Sequence, residues 1–177
     1  MKAQSRNLTG YLVLVFLLTA NTGFSQDYQP SRQEKKELKK AALASNFYSQ
    51  DTLIVLRKYV LQADYLQNKI GDMVPVSSTL NFIKVDGEKG VLQTGSDFLV
   101  GYNGVGGVTA EGNISNYEIH RNMKSLGHRI TFTLMTNMGT FNVDMNILAD
   151  NTASATIRGN TSGSLTWRGN LDRKSVV

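Results

Sequence analysis

Cysteine is absent from the chain. An exported protein of this kind would fold without disulfides, on its hydrophobic core alone. It would also have no thiol to carry a lipid behind a signal segment, so the expected product is soluble and not lipid-anchored. Histidine occurs twice, at His120 and His128. A zinc site needs three or four ligands with outer-shell support, so no metal is expected, and both histidines read as surface residues. Nucleophilic catalysis is equally short of parts: there is no G-x-S-x-G, and Ser77, Ser78, Ser96 and Ser162 fall in or beside loops. Asp64, Glu111, Glu118 and Asp144 lie on predicted strands, where the outward face is the default for polar side chains. The reading is therefore not an enzyme, with no cofactor. Charge is also modest at +5, without the basic stripe of a nucleic-acid binder. No repeat of fixed period points to a solenoid or propeller.

One apolar run stands out, and it lies at the N-terminus. Lys2 and Arg6 precede Tyr11–Ala20, and Gly23-Phe24-Ser25 supplies small residues two apart. That is the pattern of a secretory signal peptide over residues 1–25, cleaved between Ser25 and Gln26. The run is shorter than the roughly 20 residues a membrane span requires. Cleavage would leave 177 − 25 = 152 residues and a net charge of 17 − 14 = +3. The expected location is a periplasm or the extracellular space, with no integral membrane segment after cleavage.

Residues 26–58 read as a basic helical lead. Ser31 and Glu34 form a capping-box pattern, and RQEKKELKKAAL over Arg32–Leu43 is rich in helix formers. Asp51 can cap a second helical stretch over Thr52–Lys58, and the two pieces can be one kinked helix. The basic residues suit a solvated helix face or an arm that touches an anionic envelope component.

Residues 59–177 read as an antiparallel β-domain. Arg129–Thr136 and Thr140–Leu148 alternate apolar and polar residues with a period of two, so each strand is apolar inside and polar outside. Asn137-Met138-Gly139 joins them as a hairpin. Further strands are expected over Tyr59–Tyr65, Thr79–Val85, Val91–Gly95, Ala153–Arg158 and Ser164–Leu171, with Asn68–Pro75 as a loop and Asp86-Gly87 as a tight turn. Val108–Asn122 is long, and its apolar positions slip register between Ile114 and Tyr117, which predicts a bulge. About eight strands in a meander make an all-β fold, a barrel or a sandwich.

Gly101–Gly112 (GYNGVGGVTAEG) fails the spacing of a dinucleotide loop and lacks a P-loop lysine. Positive φ, or close passage of the backbone past another element, accounts for such a segment physically. The succession Val60–Leu66 (VLQADYL), Val74–Ser78 (VPVSS), Leu80–Ile83 (LNFI), Asn103–Thr109 (NGVGGVT) and Leu165–Gly169 (LTWRG) resembles the domain of unknown function 4251 family over roughly Gln33–Leu171. The resemblance implies an exported β-rich domain of Gram-negative bacteria and carries no assigned activity or site residue.

Two roles fit these readings. The first is a binding module that holds a small apolar or amphipathic ligand in the β-body, with Tyr65, Tyr102, Asn103, Tyr117 and Trp167 as candidate lining residues. The second is an envelope interaction protein that uses the basic helix or the Gly101–Gly112 loop, and it predicts a filled interior.

Overall fold

The computed structural model describes residues 29–96, 106–159 and 164–172. Among these residues one helix, α1 (Arg32–Val55), precedes nine strands: β1 (Lys58–Asn68), β2 (Met73–Pro75), β3 (Phe82–Asp86), β4 (Lys89–Ser96), β5 (Gly106–Asn122), β6 (Gly127–Thr136), β7 (Gly139–Leu148), β8 (Thr152–Arg158) and β9 (Ser164–Asp172). The chain divides at Lys36 and Glu37 into two units. In the first, the expected capping box is formed: Ser31 Oγ accepts from the Glu34 amide, and the Glu34 carboxylate accepts from the Ser31 amide. All that follows concerns the second unit.

The sheet order is β2-β1-β3-β4-β5-β6-β7-β8-β9, every pairing described is antiparallel, and β1 also pairs with β9. Eight strands therefore close into a barrel, with β2 as an extra edge strand beside β1. Closure removes the open edges that β1 and β9 would otherwise present. β1 shares one flank between two partners, β3 along Lys58–Gln62 and β2 along Tyr65–Gln67. Where one partner gives way to the other, Ala63 donates to Asn81 O and Val76 donates to Asp64 O. The opposite flank pairs with β9 from Val60 to Asn68, and the register shifts between Ala63 and Tyr65.

Alternation sorts each strand into an inner and an outer set. Tyr59, Leu61, Ile83, Ile130, Leu134, Met145, Ile147 and Ala155 are fully buried or nearly so, and they belong to one contiguous hydrophobic cluster that fills the barrel. Each such Ile or Leu contributes roughly 1.5–3 kcal/mol by leaving water. The expected bulge is present: the β5–β6 register skips between Ser115 and Glu118, and Asn116 takes φ 51°. Asparagine tolerates that left-handed backbone better than most side chains do.

Several expectations need correction. Of the alternatives for the helical lead the single helix is the one found; it ends at Val55 and not Lys58, and Asp51 lies inside it and caps nothing. Unbroken i→i+4 bonding frees the Asp51 carboxylate for tertiary contacts. In the main hairpin Thr136 pairs directly with Gly139 (φ 136°), which leaves a two-residue loop of Asn137 and Met138. Asn68–Pro75 holds a strand as well as a turn. Asn68 Oδ1 accepts from the amides of Ile70, Gly71 and Asp72, which turns the chain tightly enough for β2 to pair with β1. His128 is not a surface residue, being only 2 % exposed.

Candidate functional site

The two ends of the barrel differ. At one end the strands start or finish at Lys58, Asp86, Asn122, Gly127, Leu148 and Asp172, and the C-terminal half of α1 closes that opening. Phe47, Gln50 and Ile54 are its buried residues, spaced three and four apart on one helix face. The Gln50 side-chain amide donates to Leu148 O at 3.0 Å. Asp51 accepts from Arg121 Nε at 2.6 Å and lies 3.1 Å from His128 Nε2, while the Phe47 ring stacks on the imidazole at 4.4 Å. Tyr117 OH donates to Ile54 O, accepts from Tyr59 OH, and carries the Arg57 guanidinium 4.4 Å above its ring. Burial raises the Tyr59 and Tyr117 phenols above their ordinary value. Two buried side-chain atoms of this plug, Gln50 Oε1 and His128 Nδ1, have no hydrogen-bond partner.

At the far end the strand termini are Asn68, Phe82, Ser96, Gly106, Thr136, Gly139, Arg158 and Ser164. The hydrogen bonds of α1 to the barrel are at the opposite end, with Leu148, Tyr117 and Arg121. Asn81, fully buried, ties this end together. Its amide donates to Ser77 O and Gly95 O, and its carbonyl accepts from Thr94 Oγ1 and the Gly95 amide, all within 3.0–3.1 Å.

The last inward positions of the strands here are Thr94, Val108, Thr136, Phe141 and Leu165. Their parity follows from the register: Leu92 pairs with Ala110 inside, so Thr94 and Val108, paired next along, face the same way. Leu134 opposes Phe141, and Ile157 opposes Leu165. Val108 remains 46 % exposed, while Phe141 and Leu165 are only partly covered. One layer deeper lies Trp167, paired with Leu66 and Ala155 and 4 % exposed, whose indole N–H has no acceptor among the described residues. A buried donor without a partner is unusual and calls for an explanation.

The candidate lining residues named from sequence are scattered. Trp167 lies beneath the far rim. Tyr65 is 47 % exposed on the outer face of β1, and Tyr117 sits at the helix-closed end with its hydroxyl committed. Tyr102 and Asn103 fall outside the described residues, as does most of the glycine-rich segment; Gly106–Gly112 belongs to β5. Sequence reasoning missed the rim residues Val108, Phe141 and Leu165. Their parity was visible in the alternation, but which strand ends the helix would leave uncovered was not.

Two surface clefts lie elsewhere. The larger, about 490 Å³, runs beside the Asn122–Gly127 turn and is lined by His120, Lys124, His128 and Arg129 among others. Its neighbouring charges are mostly spent: Arg121 on Asp51 and Arg129 on Asp144, which also hold both carboxyls below the ordinary carboxylate range. The smaller, about 290 Å³, lies over the β5 bulge between Glu118 and Asp144. His120 and Glu118 are 3.7 Å apart and exposed. Among the described residues no three potential metal ligands converge, and no helix is long and apolar enough to cross a membrane.

Among the described residues these features define a helix-plugged, eight-stranded antiparallel barrel whose other end carries Val108, Phe141 and Leu165 as inward, incompletely covered positions. Residues 41–171 match the family described as Domain of unknown function (DUF4251), and the chain belongs to that family. A crystal structure of a DUF4251 family protein from Bacteroides eggerthii DSM 20697 is similar, with a TM-score of 0.61 at 26 % identity over 75 % of this chain and 90 % of that one. Among curated proteins none matches.

Proposed function

We propose that this chain is an exported, non-enzymatic binding module that holds a small amphipathic molecule at the far rim of its barrel. The observation that carries this reading is the asymmetry of the ends. The helix covers one opening with Phe47, Gln50 and Ile54, whereas among the described residues the other end carries Val108, Phe141 and Leu165 facing inward and incompletely covered above Trp167. Ligand sites tend to combine such an apolar lining with a few placed polar groups. The filled interior, which is the outcome expected of the envelope-interaction role, leaves no room for a ligand within the β-body and restricts the binding module to the rim layer. Export is supported by the N-terminal charge, apolar run and small-x-small pattern.

A second role is favoured by α1 itself. Residues 31–42, including Leu38 and five basic side chains, are exposed on every face, which suits contact with an anionic envelope component. Deleting Arg32–Ala42 should abolish salt-sensitive association with envelope material if that is its task, and unchanged association removes it.

Native mass spectrometry of the protein purified gently from its own envelope tests the binding module. A mass above that of residues 26–177 that falls to the bare value on denaturation supports it. A bare mass under gentle conditions, with none regained on adding envelope lipid extract, counts against it.

A further inference from the structure

The larger surface cleft, about 490 Å³, lies on the outer wall of the barrel at its helix-closed end and is independent of the far rim. Two rows of outward positions build it. Asn122 pairs with Gly127, and Gly127 with Leu148; one step along, His120 pairs with Arg129, and Arg129 with Asn146. The middle of the first row has no side chain. A Cβ on Gly127 would come within 3.2 Å of Leu148 Cδ2 and 3.5 Å of Ser125 Oγ. A glycine between two outward side chains leaves a hollow, and the turn after Asn122 walls it on one side. Asn122 Oδ1 holds that turn by accepting from the Lys124 and Ser125 amides at 3.0 and 3.1 Å.

The lining carries Arg121, Lys124, Arg129 and His120 but no carboxylate. Asp51 and Asp144 reach the two guanidiniums from outside it, each through Nε and Nη2. Those pairs cancel the charge yet engage one edge of each fork, and the Nη1 donors keep no acceptor among the described residues. Glu118 stands one row further from the turn, 3.7 Å from His120 Nε2 and outside the lining. The Lys124 ammonium has no ion-pair partner among the described residues, so the cleft holds one uncompensated positive charge. Beside it Met123 and Leu148 expose apolar surface, being 58 % and 43 % accessible.

We propose that this cleft binds a small organic carboxylate, its anionic group taken by Lys124 and the Nη1 edge of Arg129 and its apolar part laid on Met123 and Leu148. Charge-assisted donors converging on one anion are the stronger kind of hydrogen bond. A singly charged group matches the single spare cation, whereas a phosphate dianion would be only half compensated. The volume falls within the roughly 300–1,000 Å³ usual for small-ligand sites.

An amide chemical-shift titration of the mature protein with 3-phenylpropionate tests this. Saturable shifts should gather at His120, Lys124, Gly127, Arg129 and Leu148, with Thr94, Val108 and Leu165 unmoved. The uncharged analogue 3-phenylpropionamide should bind at least about fivefold more weakly. Lys124→Gln, on an exposed turn, should weaken the carboxylate roughly three- to tenfold and leave the amide unchanged, while Leu148→Ala should weaken both. Absence of saturable shifts at these residues, equal binding of acid and amide, unchanged binding of the carboxylate by Lys124→Gln, or tighter binding of inorganic phosphate than of the carboxylate would each overturn the proposal and leave the far-rim reading untouched.

Discussion

His128 and Asp51, 77 residues apart in sequence, meet with Nε2 3.1 Å from Oδ1, and this contact pins the helix to the barrel. The carboxylate fixes the imidazole as the tautomer that carries its hydrogen on Nε2 and donates to Asp51, an assignment from the hydrogen-bond network. Nδ1 is then an unprotonated atom, buried and without a partner. A second proton there would be buried with no acceptor. Burial accordingly lowers the His128 pKa below the ordinary value of 6.5, against the opposing pull of Asp51, while Arg121 adds a smaller lowering.

The pH dependence follows from that direction. The unfolded chain binds a proton at His128 more readily than the folded one, so stability rises with pH in this range. It should be full above about pH 6.5 and fall as the pH drops below that value toward the folded pKa. Asp51, held low by Arg121, adds a further loss only below the ordinary carboxylate value of 3.8. Urea midpoints between pH 8 and 5 check this. His128→Phe, which keeps a ring against Phe47, should flatten the slope between pH 6.5 and 5; an unchanged slope would remove His128 as its source.

Tyr117→Phe deletes the donor to Ile54 O and the partner of Tyr59 OH. The expected loss is about 1–3 kcal/mol, since both remaining groups are buried, read from denaturant unfolding. Because both phenols are raised by burial, wild-type stability should also decline above about pH 10, where the unfolded tyrosines ionise first.

Asn81→Ala leaves the Gly95 amide, the Gly95 and Ser77 carbonyls and the Thr94 hydroxyl without their side-chain partner. We expect destabilisation of about 2–3 kcal/mol. Faster amide exchange confined to residues 77–81 and 94–95 before global unfolding would mark it as the tie of the far end. Uniform exchange along β6 and β7 would contradict that.

Gly169 sits where β9 crosses the β1 irregularity, and a Cβ there would overlap the Gln62 carbonyl oxygen and crowd the Ala63 backbone. Backbone cannot yield as a flexible side chain can. Gly169→Ala should therefore loosen the seam that closes the barrel, lowering stability by about 1–3 kcal/mol and lowering amide protection on β1 and β9 ahead of β6 and β7.

The β6–β7 hairpin was legible because its apolar residues keep strict alternation over twenty positions, which only one register satisfies. The β5 bulge showed itself as a slip in that same period. The seam between β1 and β9 was not legible, because pairing between the first and last strands depends on how far the sheet curls, and that is a collective property of all the strands. Asp51 was misread for a local reason: aspartate before a helical run is a good cap signal, and nothing nearby shows that the helix passes through it to meet residues 70 and 77 positions away. His128 was misplaced because the sequence around it reads as a turn. Trp167 was singled out as a single amphipathic ring, but its unsatisfied N–H appears only once its neighbours are known.

The most direct test is amide chemical-shift mapping of the mature protein with and without envelope lipid extract. Binding at the far rim predicts saturable shifts at Thr94, Val108, Phe141, Leu165 and Trp167, with Phe47–Leu56 and His128 unmoved. Shifts centred on the helix and His128, or no saturable shift at the rim residues, would contradict it.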